Sequence, residues 1–295
     1  MFEKSNVLIV SLVLISTLVL VGCGTSTTSS DKEESKGTIK IGTNNWADAI
    51  AVTNMWKVLL EEKGYQVEIV NGRKAPIWAG LNNGDLDLFL DGWLPNTDKK
   101  YWNQYKDNLT KLTLWYENTT LGLAVPEYVE EVDTITDLKE HKDKFMKNGE
   151  ATIVGIDSGA SVMEITNQAL EEYQLDYNLI ASSGPAMASS LSDAYKEKEP
   201  IVVTLWNPHW IFSDYDMKFL EEPKNLYGEV EDAYFIANNG FVEDYPEVAK
   251  WMKNCQLDSQ TFGSLMAEIK DSDDAKAGAQ KWVEDNRDVV EKWFE

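Results

Sequence analysis

Three tryptophans stand where apolar, strand-like runs give way to polar loop chemistry: Trp46 in NNWADAIA, Trp93 in DGWLPNTD and Trp206 in LWNPHW. An indole has the strongest cation–π face of any side chain, about 0.5–2 kcal/mol per ring for a desolvated cation. Three such rings brought together would enclose an alkylated ammonium group, a cation with no N–H to donate. That chemistry is binding rather than catalysis. The other tryptophans (Trp56, Trp78, Trp102, Trp115, Trp210, Trp251, Trp282 and Trp293) lie mostly on amphipathic stretches and read as packing.

A fourth feature is GIDSGASVMEI. A strand ending at Ile156 is followed by a tight turn at Gly159 and a helix that begins at Ser161. Glu164 three residues on completes a Ser-x-x-Glu capping-box pattern. The free N–H groups of Ser161 and Val162 at the positive helix end form a seat for an anion. A capped helix with water on its amides is the plainer reading of the same residues. A ligand bearing a carboxylate would decide for the seat.

The elements that position these groups follow a strand–helix alternation. TIKIG is a strand, Ala47 to about Glu62 a helix with Ile50, Ala51, Met55, Leu59 and Leu60 on one face, and QVEIV a strand. A short helix carries Pro76 near its start and ends at Asn82-Asn83-Gly84, and DLDLFLD runs as a strand into Gly92-Trp93. This order predicts a parallel sheet covered on both faces, with ligands beyond the carboxyl ends of the strands. A second unit opens near LGLAVPEYV, with ITDLKEHKDKF as a surface helix, ATIVGID a strand, SVMEITNQALEEY a helix and PIVVTLW a strand. Beyond about Tyr234 the pattern reads as helical to the end. The layout is one lobe from 37–123 plus 235–295 and a second from 124–234, with chain crossings near Ala124 and Tyr234 as a hinge.

Charge and cysteines narrow the classes. The formal net charge of −23 argues against nucleic acid and against attachment to anionic lipid. Lys4 followed by the apolar run Val7–Val21 reads as an export signal over residues 1–22, too short for a comfortable membrane span. Leu20-Val21-Gly22-Cys23 resembles the bacterial lipobox, which would make Cys23 the lipidated first residue of a disordered tether over 23–36. A plain signal peptide is the alternative. Cys255 is then the only other cysteine, so no internal disulfide is expected, and two histidines argue against a His/Cys zinc site. DSDDAKAG lacks calcium-loop spacing. Neither metal nor cofactor is expected, and no GxxxxGK[ST] motif for nucleotide occurs.

These motifs together resemble the substrate-binding lipoproteins of ABC importers for glycine betaine and related quaternary amines, the OpuAC and choline-binding group. NWADAIAVTNMWKVLLEEKGY, KAPIWAGLNNGDLD, DGWLP, GLAVPEYV, GIDSGASVM and EPIVVTLWNPHW carry the likeness over essentially the whole chain after the tether. The resemblance implies an α/β, two-lobed periplasmic-binding-protein-like fold of type II, hinged, with parallel-rich sheets flanked by helices. It implies a tryptophan prism of Trp46, Trp93 and Trp206 and a carboxylate held at Ser161 and Val162. It also implies an extracytoplasmic, membrane-anchored monomer that hands its ligand to a permease whose ATPase is a separate subunit. Two acids depart from the betaine pattern. Asp98 stands where WLPxTH binders have a histidine, and Asp48 makes the W-x-D of choline-binding relatives, although the first turn of a helix also favours an acid there. Both are counted as ligand-site residues. His209 is expected to be a buried structural donor. Choline and carnitine are the alternative ligands. A secreted glycoside hydrolase working through paired carboxylates, or a surface adhesin, are the rivals from other classes.

Overall fold

The computed structural model describes residues 35–295. The signal segment, Cys23 and nearly all of the tether therefore lie outside the described residues.

The alternation at the start of the chain builds strand β1 (Thr38–Thr43), helix α1 (Ala47–Glu62), β2 (Gln66–Asn71), α2 (Lys74–Asn83) and β3 (Leu88–Leu94). β1 pairs in parallel with both β2 and β3, Thr38 facing Gln66 and Ile41 facing Leu88. Ile39 and Ile41 of β1 and every residue of β3 are buried, as expected for strands covered on both faces. Gly84 ends α2 in the left-handed region, φ 78°, where a side chain would be strained.

After α3 (Lys99–Tyr105) comes β4 (Leu109–Pro126), a single strand of 18 residues. It serves two sets of partners. From Leu109 to Thr119 it pairs antiparallel with β10, and from Thr120 to Ala124 with β8. The sequence pattern picked up only its second half, at LGLAVPEYV. The first half is irregular, with register shifts against β10 and Asn118 at φ 63°, so strict alternation fails there.

The short helix α4 (Asp137–Glu140) precedes β5 (Met146–Lys147) and β6 (Glu150–Val154). ITDLKEHKDKF is thus not one surface helix: α4 stops at Glu140, a 3₁₀ turn covers Lys142–Phe145, and Leu138 and Phe145 are anchored in the core. Then follow α5 (Ser161–Glu172), β7 (Asn178–Ile180), α6 (Gly184–Glu197), β8 (Val203–Asn207), α7 (Ile211–Asp214), β9 (Met217–Phe219) and β10 (Glu231–Asn238). The strand order is β2-β1-β3-β10-β4-β8-β6-β5, with β7 beside β6 and β9 beside β4. The central strands β10 and β4 are antiparallel insertions into the parallel sets expected from the alternation.

β10 corrects a second expectation. The chain does not turn helical at Tyr234 but runs extended to Asn238, burying Ala233, Phe235, Ile236 and Ala237. Only then come α8 (Phe241–Asp244), α9 (Pro246–Lys253), α10 (Ser259–Lys270), α11 (Ala275–Asp285) and α12 (Arg287–Val290). Asp258 and Asp274 cap α10 and α11 by accepting from Thr261 and Ala277 N–H. The partner switch on β4, between Thr119 and Thr120, lies ahead of the boundary expected at 123/124, and β10 begins at Glu231 opposite Thr119. Among the packing tryptophans, Trp56 stacks on Trp293 with centroids 5.9 Å apart, and Trp115 stacks on Phe235 at 5.5 Å.

Candidate ligand-binding site

A cavity opens where β3, β8 and the first turns of α1, α2 and α5 converge. Trp46, Trp93 and Trp206 all line it. Trp46 is the extended residue that precedes α1, and Trp93 and Trp206 each lie one residue from the end of their strands, β3 and β8. The Trp46 and Trp206 rings meet edge to face, centroids 6.5 Å apart at 60°. Each of two rings is held by an acid: Trp93 Nε1 donates to Asp91 Oδ1 at 2.7 Å and Trp46 Nε1 to Asp157 Oδ2 at 2.8 Å. His209 packs against Trp206 at 4.7 Å. Its Nδ1 accepts from the Ile211 N–H, so it is buried and structural but an acceptor at that atom rather than the donor expected; burial lowers its pKa to about 3 and keeps it neutral.

Ser161 and Val162 line the same cavity. Their N–H groups belong to the opening turn of α5, which no preceding helical carbonyl can satisfy. The capping box does not form. Ala160 is the cap residue, without a side-chain bond, and Ser161 is already helical, so its Oγ donates instead to the Thr97 carbonyl at 3.1 Å.

The acids divide. Asp48 lines the cavity, and its Oδ1 is buried without a hydrogen-bond partner, as is the neighbouring Trp206 Nε1. Burial pushes the Asp48 carboxyl up to about 6, against the Ala49 N–H that favours its charge. Asp98 does not reach the cavity wall, which corrects its inclusion among ligand contacts. It is fully buried behind the wall, where Oδ2 accepts from Trp93 N–H at 2.9 Å and Oδ1 lies 2.6 Å from Lys74 Nζ. The repulsion that an acid at this position would exert on a ligand carboxylate is thereby neutralised.

Three wall or support residues escaped the sequence reading. Asp91 was within reach of it, because residues two apart in a strand share a face and Trp93 was already chosen. Burial and then the like charge of Asp48 raise the Asp91 carboxyl. Lys74, 2% exposed, lines the cavity with its ammonium 4.9 Å from the Trp46 ring centroid. Burial disfavours its charge, but Asp98 and Asp91 outweigh this and its pKa is raised. Asp157 had no local signal, since its partner Trp46 is 111 residues away.

The arrangement offers aromatic faces and carboxylates to a cation, and helix N–H groups with an ammonium to an anion. Among the described residues no group of His, Cys, Asp and Glu could hold a metal ion. The family model for the substrate-binding domain of ABC-type glycine betaine transport systems matches residues 37–285. The glycine betaine/carnitine transport binding protein GbuC of Listeria monocytogenes is 42% identical over 145 residues, 48% of this chain and 48% of that protein, so the match spans about half of that relative. Lactococcal OpuAC in its closed conformation with glycine betaine is 30% identical, with a TM-score of 0.79 over 88% of this chain and 100% of that one. The glycine/betaine/L-proline-binding protein ProX of Borrelia burgdorferi is 34% identical, with a TM-score of 0.80 over 87% of this chain and 96% of its own.

Proposed function

The chain belongs to the family of substrate-binding domains of ABC-type glycine betaine transport systems, and on that premise we propose that it binds glycine betaine between its three tryptophans and the start of α5. The family is one of binding proteins, not enzymes, so the glycoside-hydrolase alternative is set aside. The observation that carries the reading is that Trp46, Trp93, Trp206, Ser161 and Val162 all wall one cavity.

Magnitudes favour a ligand with two recognised ends. Three cation–π contacts supply about 2–6 kcal/mol. Micromolar affinity needs about 8 kcal/mol net of immobilisation. Charge-assisted hydrogen bonds to a carboxylate, about 1.5–3 kcal/mol each, close the gap. A second reading, choline, is favoured by one observation: the wall carries the Asp48 carboxyl with one buried oxygen that has no hydrogen-bond partner, an acceptor that suits a ligand with no anion of its own.

In this proposal the segments 37–123 plus 235–295 and 124–234 act as two lobes that the ligand draws together, with the loaded protein delivering to a permease powered by a separate ATPase. Cys23 carries the lipid that holds a monomeric receptor on the extracytoplasmic face. A Cys23→Ala chain is expected in the medium rather than the membrane fraction. The ligand assignment is tested by calorimetric titration with glycine betaine, choline and carnitine. Saturable betaine binding that Trp93→Ala abolishes is the expected outcome, and no heat with any of the three would sink the reading.

A further inference from the structure

Among the described residues, Lys74 is the only basic one on the cavity wall. Its ammonium carries three N–H groups and is ion-paired with Asp98, Oδ1 at 2.6 Å. Asp98 is fully buried and off the wall, so the ion pair presents its positive end to the cavity. The position of that end follows from three observations. Thr97, next to Asp98, accepts from Ser161 Oγ at 3.1 Å. A Cβ placed on Gly159 would lie 3.9 Å from Arg73 Cδ, beside Lys74. Thr97, Ser161 and Lys74 share the wall. The first residues of α2 and of α5 thus meet at one end of the cavity, and the N–H groups of Ser161 and Val162 point to that end as the place for an anion.

We infer that Lys74 is a specificity-determining residue: its ammonium takes the ligand carboxylate together with the Ser161 and Val162 amides, and so selects zwitterionic quaternary amines over simple cations such as choline. This rests on the proposed quaternary-amine function. A lysine serves where an arginine would not, because a compact ammonium on a flexible stem can bridge Asp98 and a ligand oxygen in a narrow wall. The competing physical possibility comes from the same side chain, whose Nζ lies 4.9 Å from the Trp46 centroid and would vie with the ligand cation for that ring.

The test is calorimetric titration of the purified full-length protein, Lys74→Met and Lys74→Met/Asp98→Asn with glycine betaine and with choline. The single variant leaves a buried, unpaired carboxylate and risks misfolding. The double variant removes both charges while keeping the volume. The expected result is a loss of betaine affinity of about tenfold to hundredfold in the double variant, with choline affinity held within about threefold. Equal loss for both ligands would make Lys74 a structural support, tighter binding of both would make it a competitor for Trp46, and unchanged betaine affinity would leave it idle. Each of these overturns the inference while wild-type binding keeps the quaternary-amine reading standing, as does a wild type that binds choline alone. A wild type silent to both ligands overturns that reading and the inference with it.

Discussion

The indole N–H of Trp46 donates to the Asp157 carboxylate at 2.8 Å, tying the residue that opens α1 to the loop between β6 and α5. The two residues belong to opposite sides of the partner switch on β4. The bond from Ser161 Oγ to the Thr97 carbonyl spans the same divide. Both bonds flank the cavity, so the conformation that assembles the three indoles is also the one that makes these bonds.

Removing the first bond should therefore loosen ligand capture. Asp157→Ala is expected to raise the betaine Kd about 3- to 30-fold, since a charge-assisted bond is involved but Asp157 is only half-buried. Most of the change should fall in the dissociation rate. Stopped-flow tryptophan fluorescence reads it directly, and Asp157→Asn, which keeps an acceptor, should recover most of the loss. A dissociation rate untouched by Asp157→Ala would show the bond to be idle.

Asp48 makes stability depend on pH in a direction that can be worked out. Its carboxyl rises from 3.8 to about 6 on folding, mainly through burial. The folded state thus holds the proton more tightly than the unfolded state. The resulting stabilisation is complete below about pH 4 and is lost as pH rises through about 6, a change of about 3 kcal/mol by linkage. Asp48→Asn does not titrate, so its melting temperature should gain on the wild type across that window. Parallel melting curves for the two proteins from pH 4 to about 7 would contradict this. A cation entering the cavity favours the carboxylate, so binding near the Asp48 pKa should release protons, seen as buffer-dependent heats.

Gly92 separates Asp91 from Trp93, and a Cβ there would fall 2.6 Å from Ile236 Cγ1 and 3.4 Å from the Tyr234 carbonyl. Ile236 is fully buried. Gly92→Ala should cost about 1–3 kcal/mol by urea denaturation and weaken betaine binding by moving Trp93. Gly263 in α10 has no such neighbour within 4 Å, and Gly263→Ala should leave binding unchanged and gain up to about 1 kcal/mol of stability. If both variants behave alike, the close approach at Gly92 is not what restricts it.

Local chemistry in the chain was enough to choose Trp46, Trp93 and Trp206, because each follows or ends an apolar run and the rule that parallel sheets bind ligands at strand ends applies to short stretches. It was enough as well for β1, α1, β2, α2 and β3, whose periodicities are clean. Asp91 could have been added from its two-residue spacing to Trp93.

What only the tertiary structure decided depends on partners distant in the chain. β4 alternates poorly over Leu109–Thr119 because its register there is set by bulged pairing with β10, more than a hundred residues later. The side-chain partners of Asp98 and Ser161 could not be read from local motifs: a nearby Ser-x-x-Glu suggested a cap, but the Ser161 hydroxyl donates to the Thr97 carbonyl, and an acid in WLPNTD suggested a ligand contact, but its carboxylate lies against Lys74. Composition and spacing report which groups can interact. Which of them do is settled by burial, since a desolvated donor or charge must find its partner among whatever the fold brings within about 3 Å.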